Sequence, residues 1–296
     1  MAYVPSGRTQ LGHLTVKRTG RFMGRFVLVI LGLLLVWKLV TELIEPHLLL
    51  WLQPGSPYVQ APSIADTSVR LYGDTRPYIG KISGLQKGLV WIHRGRALVE
   101  EGYGFGCPIV VYNGQSYNSR HAEIQAYDQD GFVRLIKRYH IDTIDTPSRL
   151  LRRKYRPVPS LGTIEYQYDV YPNGVIDIEV DLTALDVNWQ QVYLMNEQGA
   201  QTFTRYLDIE GTRLEGAEIG IWESPGRFIA RACFEDSEGQ LGFCVEPEPS
   251  TVVYFGRERY NQYNWRGIYY LSWSGVDLEL QAPQTVYSYR IVLEAP

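Results

Sequence analysis

The stretch from Arg138 to Asp145, RYHIDTID, concentrates side chains suited to moving a proton. On a β-strand, residues two apart stand on one face roughly 6.6 Å from each other. Arg138, His140 and Asp142 therefore form one polar row, opposite an apolar row of Val133, Leu135, Tyr139 and Ile141. Histidine changes charge near neutral pH, and flanking charged groups can orient a substrate or take part in proton transfer. The row equally suits a ladder of charges paired across strands. Asp145 leaves it where Pro147 ends the strand.

Glu197, just before Gly199 in YLMNEQGAQTF, is a second candidate acid or nucleophile at a strand end. Glycoside chemistry needs two carboxylates, and spacing along the chain does not single out its partner. The densest aromatic stretch is RERYNQYNWRGIYYLSWSG, Arg257 to Gly275. There Tyr260, Tyr263, Trp265 and Arg266 are the candidate ligand contacts, because aromatic faces beside amides and arginine suit sugar rings or protein interfaces. The alternating Tyr269, Leu271 and Trp273 read as core. RLLRRKYRP, Arg149 to Pro157, suits anions or a neighbouring acidic face. No phosphate loop, dinucleotide fingerprint, zinc-protease helix or nucleophile elbow occurs, and no C-x-x-C pattern marks a metal site.

The elements that must position these residues are strands. After residue 66, β-branched and aromatic runs alternate between Gly, Pro and Asn punctuation, and no helical period stands out. Hairpins are expected around Arg94-Gly95, Asn113-Gly114 and Asp130-Gly131. Between Ile164 and Leu182, a three-residue Pro172-Asn173-Gly174 loop with a glycine bulge pairs Tyr171 with Val175. Tyr166, Tyr168 and Val170 then share a face with Ile176, Ile178 and Val180. Glu165, Gln167, Asp169, Asp177, Glu179 and Asp181 fall on the other. Like charges directly opposite are destabilising. Solvent, a hard cation such as calcium, a basic partner or the protein's own arginines would offset them. Calcium needs 6–8 oxygen ligands, more than a flat strand face supplies.

The three cysteines are Cys107, Cys233 and Cys244. A hairpin about Glu238-Gly239 places Cys233 opposite Cys244. Counted outward from a two-residue turn, the pair sits at a hydrogen-bonded position, where Cα atoms lie farther apart. A disulfide and two thiols both stay open. Cys107 reads as a small buried residue.

The N-terminus differs from the rest. Residues 1–41 contain no Asp or Glu but carry Arg8, Lys17, Arg18, Arg21, Arg25 and Lys38 around the apolar run Phe26 to Trp37. This pattern predicts a basic cytoplasmic tail over 1–21 and an uncleaved transmembrane signal anchor over 22–41, in contact with the lipid bilayer. An interfacial segment and linker follow over 42–65, and an extracytoplasmic domain over 66–296. The chain has 296 residues and a net charge of −3, which gives no electrostatic case for nucleic acid. The expected fold is all-β: a large antiparallel β-sandwich preceded by a single helix, with two smaller β-sandwich domains as the alternative.

EEGYGFGCPIVVYNG, YQYDVYPNGVIDIEVDLT and WRGIYYLSWSG are strand-and-turn patterns of the outer domain. Together they resemble the large β-sandwich of the galactose-mutarotase-like superfamily and allied polysaccharide-lyase domains. The resemblance implies a supersandwich fold and a carbohydrate ligand. It transfers no catalytic residue. Three functions are expected from the sequence: a membrane-anchored protein binding glycans or envelope components, a sugar-active enzyme using His140 and Asp142, and an accessory subunit of a membrane complex.

Overall fold

A computed structural model describes residues 25–37, 57–73, 88–99, 103–145, 155–224, 228–264 and 267–296. The chain divides into two compact units, Met1–Gln53 and Pro54–Pro296. In the first, residues 25–37 are helical. At 1.5 Å per residue this stretch is about 20 Å long, against roughly 30 Å of bilayer hydrocarbon. Among the described residues no helix is long and apolar enough to cross a membrane. The remainder of the expected 22–41 span, and the 1–21 tail, lie outside the described residues.

The second unit is built of strands. β1 (Tyr58–Pro62), β2 (Thr67–Tyr72), β3 (Val90–His93) and β4 (Arg96–Ala97) form a small sheet in that order. The linker expected up to residue 65 is thus corrected: Tyr58–Pro62 pairs with Thr67–Tyr72, and Ala61 is buried in the core. The larger sheet begins with the chain-consecutive strands β5 (Gly104–Tyr112), β6 (Gln115–Gln129), β7 (Phe132–Asp145), β8 (Tyr155–Pro157), β9 (Thr163–Val170) and β10 (Val175–Asp181). It continues with β11 (Gln191–Gln198), β12 (Arg205–Asp208), β13 (Arg213–Glu215), β14 (Ala232–Glu235) and β15 (Gly242–Pro247). The last three are β16 (Val252–Asn264), β17 (Gly267–Gln281) and β18 (Val286–Glu294). Its spatial order is β13-β12-β14-β15-β18-β10-β9-β7-β6-β5-β11-β17-β16, with β8 beside β7.

The two halves of this antiparallel sheet share one core. Leu135, Tyr168, Ile178 and Ile291 from one half lie in the same buried cluster as Val110, Leu194, Val276 and Leu278 from the other. The unit is one large sandwich, not two smaller ones. Tyrosines span it. Tyr139 and Tyr168 on β7 and β9 donate to the Gly106 carbonyl on β5, at 3.2 and 3.1 Å, and Tyr289 on β18 donates to Asn196 Oδ1 on β11 at 3.0 Å. Each buries a ring while its hydroxyl satisfies a polar group across the core. Gly106 sits where the β5–β11 register shifts; its φ is +78°, and a Cβ there would lie 2.6 Å from the Tyr168 hydroxyl.

The registers follow the side-chain alternation. Ile176, Ile178 and Val180 face Val170, Tyr168 and Tyr166, and Gly174 closes the loop at φ +86°. Cys233 faces Cys244 and the two are disulfide-bonded. Their Cα atoms are only 4.0 Å apart, unlike the hydrogen-bonded position expected for them. The reason is the loop: Asp236 N–H donates to the Leu241 carbonyl, so four residues rather than two make the turn. That shifts the hydrogen-bonding phase by one pair without changing the register.

Lys137 departs from the expected pattern of β7. It stands on the inward face between Leu135 and Tyr139, fully buried, with its ammonium nitrogen 4.7 Å from the centre of the Tyr139 ring. Burial pushes its pKa down to about 7, and the Cys107 thiol opposes that shift. Cys107 itself is buried.

Candidate functional site

Two regions gather polar chemistry. The first is the outward face of β7, β9, β10 and β18. Arg134 makes a bidentate pair with Asp169, at 2.7 and 2.8 Å. Arg138 bonds Glu165, and Arg290 on β18 bonds Asp177 at 2.6 Å. Asp169 opposes Asp177 and Glu165 opposes Asp181, so the acidic face exists as expected. The protein's own arginines offset it, their charge held firmly by hydrogen bonds to these carboxylates.

The row Arg138, His140 and Asp142 belongs to this face. Arg138 also lies 3.6 Å from Glu123, and His140 Nε2 lies 3.5 Å from the same carboxylate. Asp142 accepts a hydrogen bond from the Thr143 hydroxyl at 2.9 Å. The row is thus engaged with strands on either side, and none of its three residues lines the cleft described next. Glu197 does line that cleft, so the structure does not bring the four candidates together. Tyr260 and Tyr263 fall on β16, and Trp265 and Arg266 lie outside the described residues.

The second region is a cleft of about 500 Å³ on the face of β5, β11 and β17 that points away from the core. Alternation builds it. On β11, Val192, Leu194 and Asn196 point inward, so Tyr193, Met195 and Glu197 point outward. On β17, Val276 and Leu278 point inward, and Asp277 points out opposite Met195. Ile109 and Val111 on β5 extend the floor, and Tyr117 and Asn118 on β6 close one end. Trp273 also lines the cleft instead of the core, and its indole donates to Glu258 at 3.2 Å.

One wall comes from a loop. Residues Gly220 to Glu223 are pinned to β16: Glu223 exchanges two backbone hydrogen bonds with Phe255, and Arg257 N–H donates to the Gly220 carbonyl. Gly256 makes this approach feasible, since a Cβ there would lie 2.3 Å from the Trp222 nitrogen. Trp222, at φ +54°, packs its ring against Tyr193 and Tyr254, with centroids 4.9 and 4.8 Å away, while 39% of it stays exposed.

Two carboxylates sit in this aromatic surround, and among the described residues no Lys or Arg lines it. Glu197 is 2% exposed, lies across Gly275, and accepts the Tyr103 backbone N–H at 3.0 Å. Asp277 is fully buried. Its Oδ1 accepts the Asn196 backbone N–H at 2.8 Å, whereas Oδ2 has no hydrogen bond of normal geometry. Burial pushes the Asp277 pKa up to about 7, against the opposing pull of the Asn196 N–H and the Trp222 indole. Glu197 faces Gly275, so Asp277 is its diagonal neighbour, and the register sets the two side chains roughly 7–8 Å apart at their bases. The adjacent Glu279 is engaged by Tyr254, Gln191 and Gln281. The arrangement can stack a flat, polar-edged molecule and place a titrating carboxyl against it.

Sequence reasoning found Glu197 but missed Asp277 and Trp222. In GVDLEL, Asp277 reads as an ordinary outward residue of a half-buried strand, and Trp222 lies in an irregular loop.

The fold and the cleft define an all-β sandwich protein with an aromatic, acidic cavity on one sheet face. No protein-family model matches the sequence, and no curated protein matches it. Among solved structures, the chain is similar to the alpha-N-acetylgalactosaminidase NagBb from Bifidobacterium bifidum. Its GalNAc complex matches with a TM-score of 0.50 and 10% identity, over 80% of this chain and 36% of that one. A GalM/aldose epimerase homologue from C. elegans is a weaker match, with a TM-score of 0.42 and 9% identity, over 82% of this chain and all of that one. The chain thus spans about a third of the galactosaminidase's length. The resemblance to galactose-mutarotase-like sandwiches is one of fold.

Proposed function

We propose that this protein binds carbohydrate in the cleft between β6, β5, β11 and β17. The observation that carries the reading is the combination of Trp222, Trp273, Tyr193 and Tyr117 with Asn118, Glu197 and Asp277 around one open cavity. Pyranose rings offer apolar C–H faces for aromatic stacking and a rim of hydroxyls for directional hydrogen bonds, and mostly apolar pockets with a few convergent polar groups are the usual small-ligand sites. The likeness of fold to NagBb, whose structures include a GalNAc complex, is in keeping with it. The test is titration of neutral oligosaccharides against intrinsic tryptophan fluorescence. Trp222→Ala is expected to weaken binding about tenfold or more; unchanged affinity in a folded variant would overturn the assignment.

A catalytic reading of the same cleft has one observation in its favour: Asp277 is poised to exchange a proton near neutral pH, with a second carboxylate on the neighbouring strand. Turnover of a glycoside or a free sugar that disappears in Asp277→Asn would support it. Activity that persists in that variant would remove Asp277 from the chemistry.

The anchoring part of the reading rests on the helix at 25–37, whose apolar side chains from Phe26 to Trp37 are 41–69% exposed. Such a surface wants a lipid or protein cover. The flanking sequence from Phe22 to Thr41 supplies enough residues for a span, with the acid-free, basic segment on the cytoplasmic side. Retention in the membrane pellet after alkaline carbonate extraction is expected, and release into the supernatant would refute it.

A further inference from the structure

Building on the carbohydrate reading of the cleft, we infer that Asp277 is a positioning residue: it holds the Trp222 indole in the orientation that receives a sugar, without touching the sugar itself. Accessibility separates the two side chains. Asp277 lies at the base of the cleft with 0% exposure, whereas 39% of Trp222 is exposed. A ligand entering the cleft therefore meets the ring and not the carboxylate. The strand register brings the two together. Asp277 stands opposite Tyr254 across β16 and β17, and Glu279, the next outward residue of β17, stands opposite Tyr193 on β11. Trp222 packs against these same two tyrosines, with ring centroids 4.8 and 4.9 Å away. Its indole N–H donates to the Asp277 carboxylate, with looser geometry than the Asn196 backbone N–H at 2.8 Å.

Packing alone does not fix the ring. The torsion that turns an indole about its own stem has two broad wells, and a flipped ring would cover the tyrosines while sending its N–H to the opposite edge. A buried acceptor selects the orientation that brings a donor to it. The backbone of Trp222, at φ +54°, is in a region that few residues other than glycine occupy, and such a conformation persists where its surroundings over-determine it. The exchange of hydrogen bonds between Glu223 and Phe255 fixes the loop, and the carboxylate fixes the ring.

The test uses the purified full chain at pH 8 and calorimetric titration with the neutral tetrasaccharides of glucose and of N-acetylglucosamine. Trp222→Phe keeps an aromatic face and loses the N–H. Asp277→Asn keeps a carbonyl for the Asn196 N–H but turns an amide donor towards the indole. Each variant is expected to weaken binding about fivefold, less than Trp222→Ala does. The double variant should bind no more weakly than either single one, because both remove the same interaction. Asp277→Asn is also expected to change the near-ultraviolet circular dichroism of the unliganded protein, and to have no such effect in the Trp222→Phe background. Since removing a buried charge is expected to stabilise the fold at this pH, weaker binding by Asp277→Asn would not come from unfolding. Native-like binding or an unchanged spectrum in Asp277→Asn would overturn the inference and leave the carbohydrate reading standing. Losses that multiply in the double variant would also overturn it, because the carboxylate would then act on the ligand directly. If neither tetrasaccharide binds the native protein, the carbohydrate reading fails and the inference falls with it.

Discussion

The two polar faces of the sandwich treat their carboxylates in opposite ways. On the outward face of β7, β9, β10 and β18, Asp169, Glu165 and Asp177 each have an arginine. In the cleft over β11 and β17, Asp277 has none among the described residues, although it is far more deeply buried. The first face is dense in charge and electrostatically balanced. The second is sparse in charge, and its Asp277 is fully buried without a counter-ion among the described residues. A desolvated carboxyl without a counter-ion costs stability, and such costs concentrate where a ligand is received. Charge density in the sequence pointed to the first face, whereas the imbalance that matters lies in the second.

The sharpest way to test this contrast is to neutralise one carboxylate on each face and compare signs. The Asp277 pKa is raised on folding, from 3.8 to about 7. A carboxyl with a raised folded pKa favours the protonated state. Its contribution is most favourable below about pH 4, declines as pH rises towards 7, and is a constant penalty above that. At one pKa unit per 1.36 kcal/mol, the penalty is at most about 4 kcal/mol. Asn at this position keeps a carbonyl oxygen for the Asn196 N–H and removes the charge. Asp277→Asn is therefore expected to stabilise the protein above pH 7 by up to about 4 kcal/mol and to flatten the pH dependence between 4 and 7. Urea denaturation at pH 5 and pH 8 reads this directly. Destabilisation at pH 8 would show that the buried charge is compensated after all.

The next test separates the cleft wall from the rest of the sheet. Gly256→Ala puts a Cβ against the Trp222 backbone nitrogen, where the contact would be 2.3 Å, and backbone cannot move aside as a flexible side chain can. Overpacking of this kind costs roughly 1–3 kcal/mol. The loop from Gly220 to Glu223 is expected to lift from β16, with loss of the Trp222–Tyr254 contact and a red shift in tryptophan emission. The Arg134–Asp169 face should be untouched. A variant with unchanged emission and stability would mean that the wall is not held by this approach.

The balance of the first face was half legible in the sequence. The Pro172-Asn173-Gly174 bulge fixed the β9–β10 register, which set Asp169 against Asp177 and Glu165 against Asp181. Which cations would face them depended on β7 and β18 lying on either side, a long-range fact that local alternation does not carry. The cleft was less legible for the same reason. Its residues come from β5, β6, β11 and β17 and from the loop at Trp222, far apart in the chain, so no local spacing announced them. Glu197 was visible because a carboxylate before a glycine at a strand end is unusual. Asp277 was hidden by obeying the strand pattern: it points outward as a polar residue should, yet it is fully buried in the folded protein. Lys137 broke the β7 alternation openly, and the core accommodates it beside the Tyr139 ring.

The smallest expected effect completes the comparison. Asp169→Asn removes one partner of the bidentate pair with Arg134, whose side chains are 15% and 33% exposed. Because water and salt screen such pairs, the loss should be about 1 kcal/mol or less, and of opposite sign to that of Asp277→Asn. The like-charge opposition of Asp169 and Asp177 works against even that small loss, since removing one carboxylate relieves it. Raising the ionic strength from about 0.05 to 1 M should shrink the effect further, because the Debye length falls to about 3 Å. Denaturation of Asp169→Asn at both ionic strengths gives the answer. A loss of several kcal/mol, insensitive to salt, would make this face as electrostatically demanding as the cleft and would erase the distinction between them.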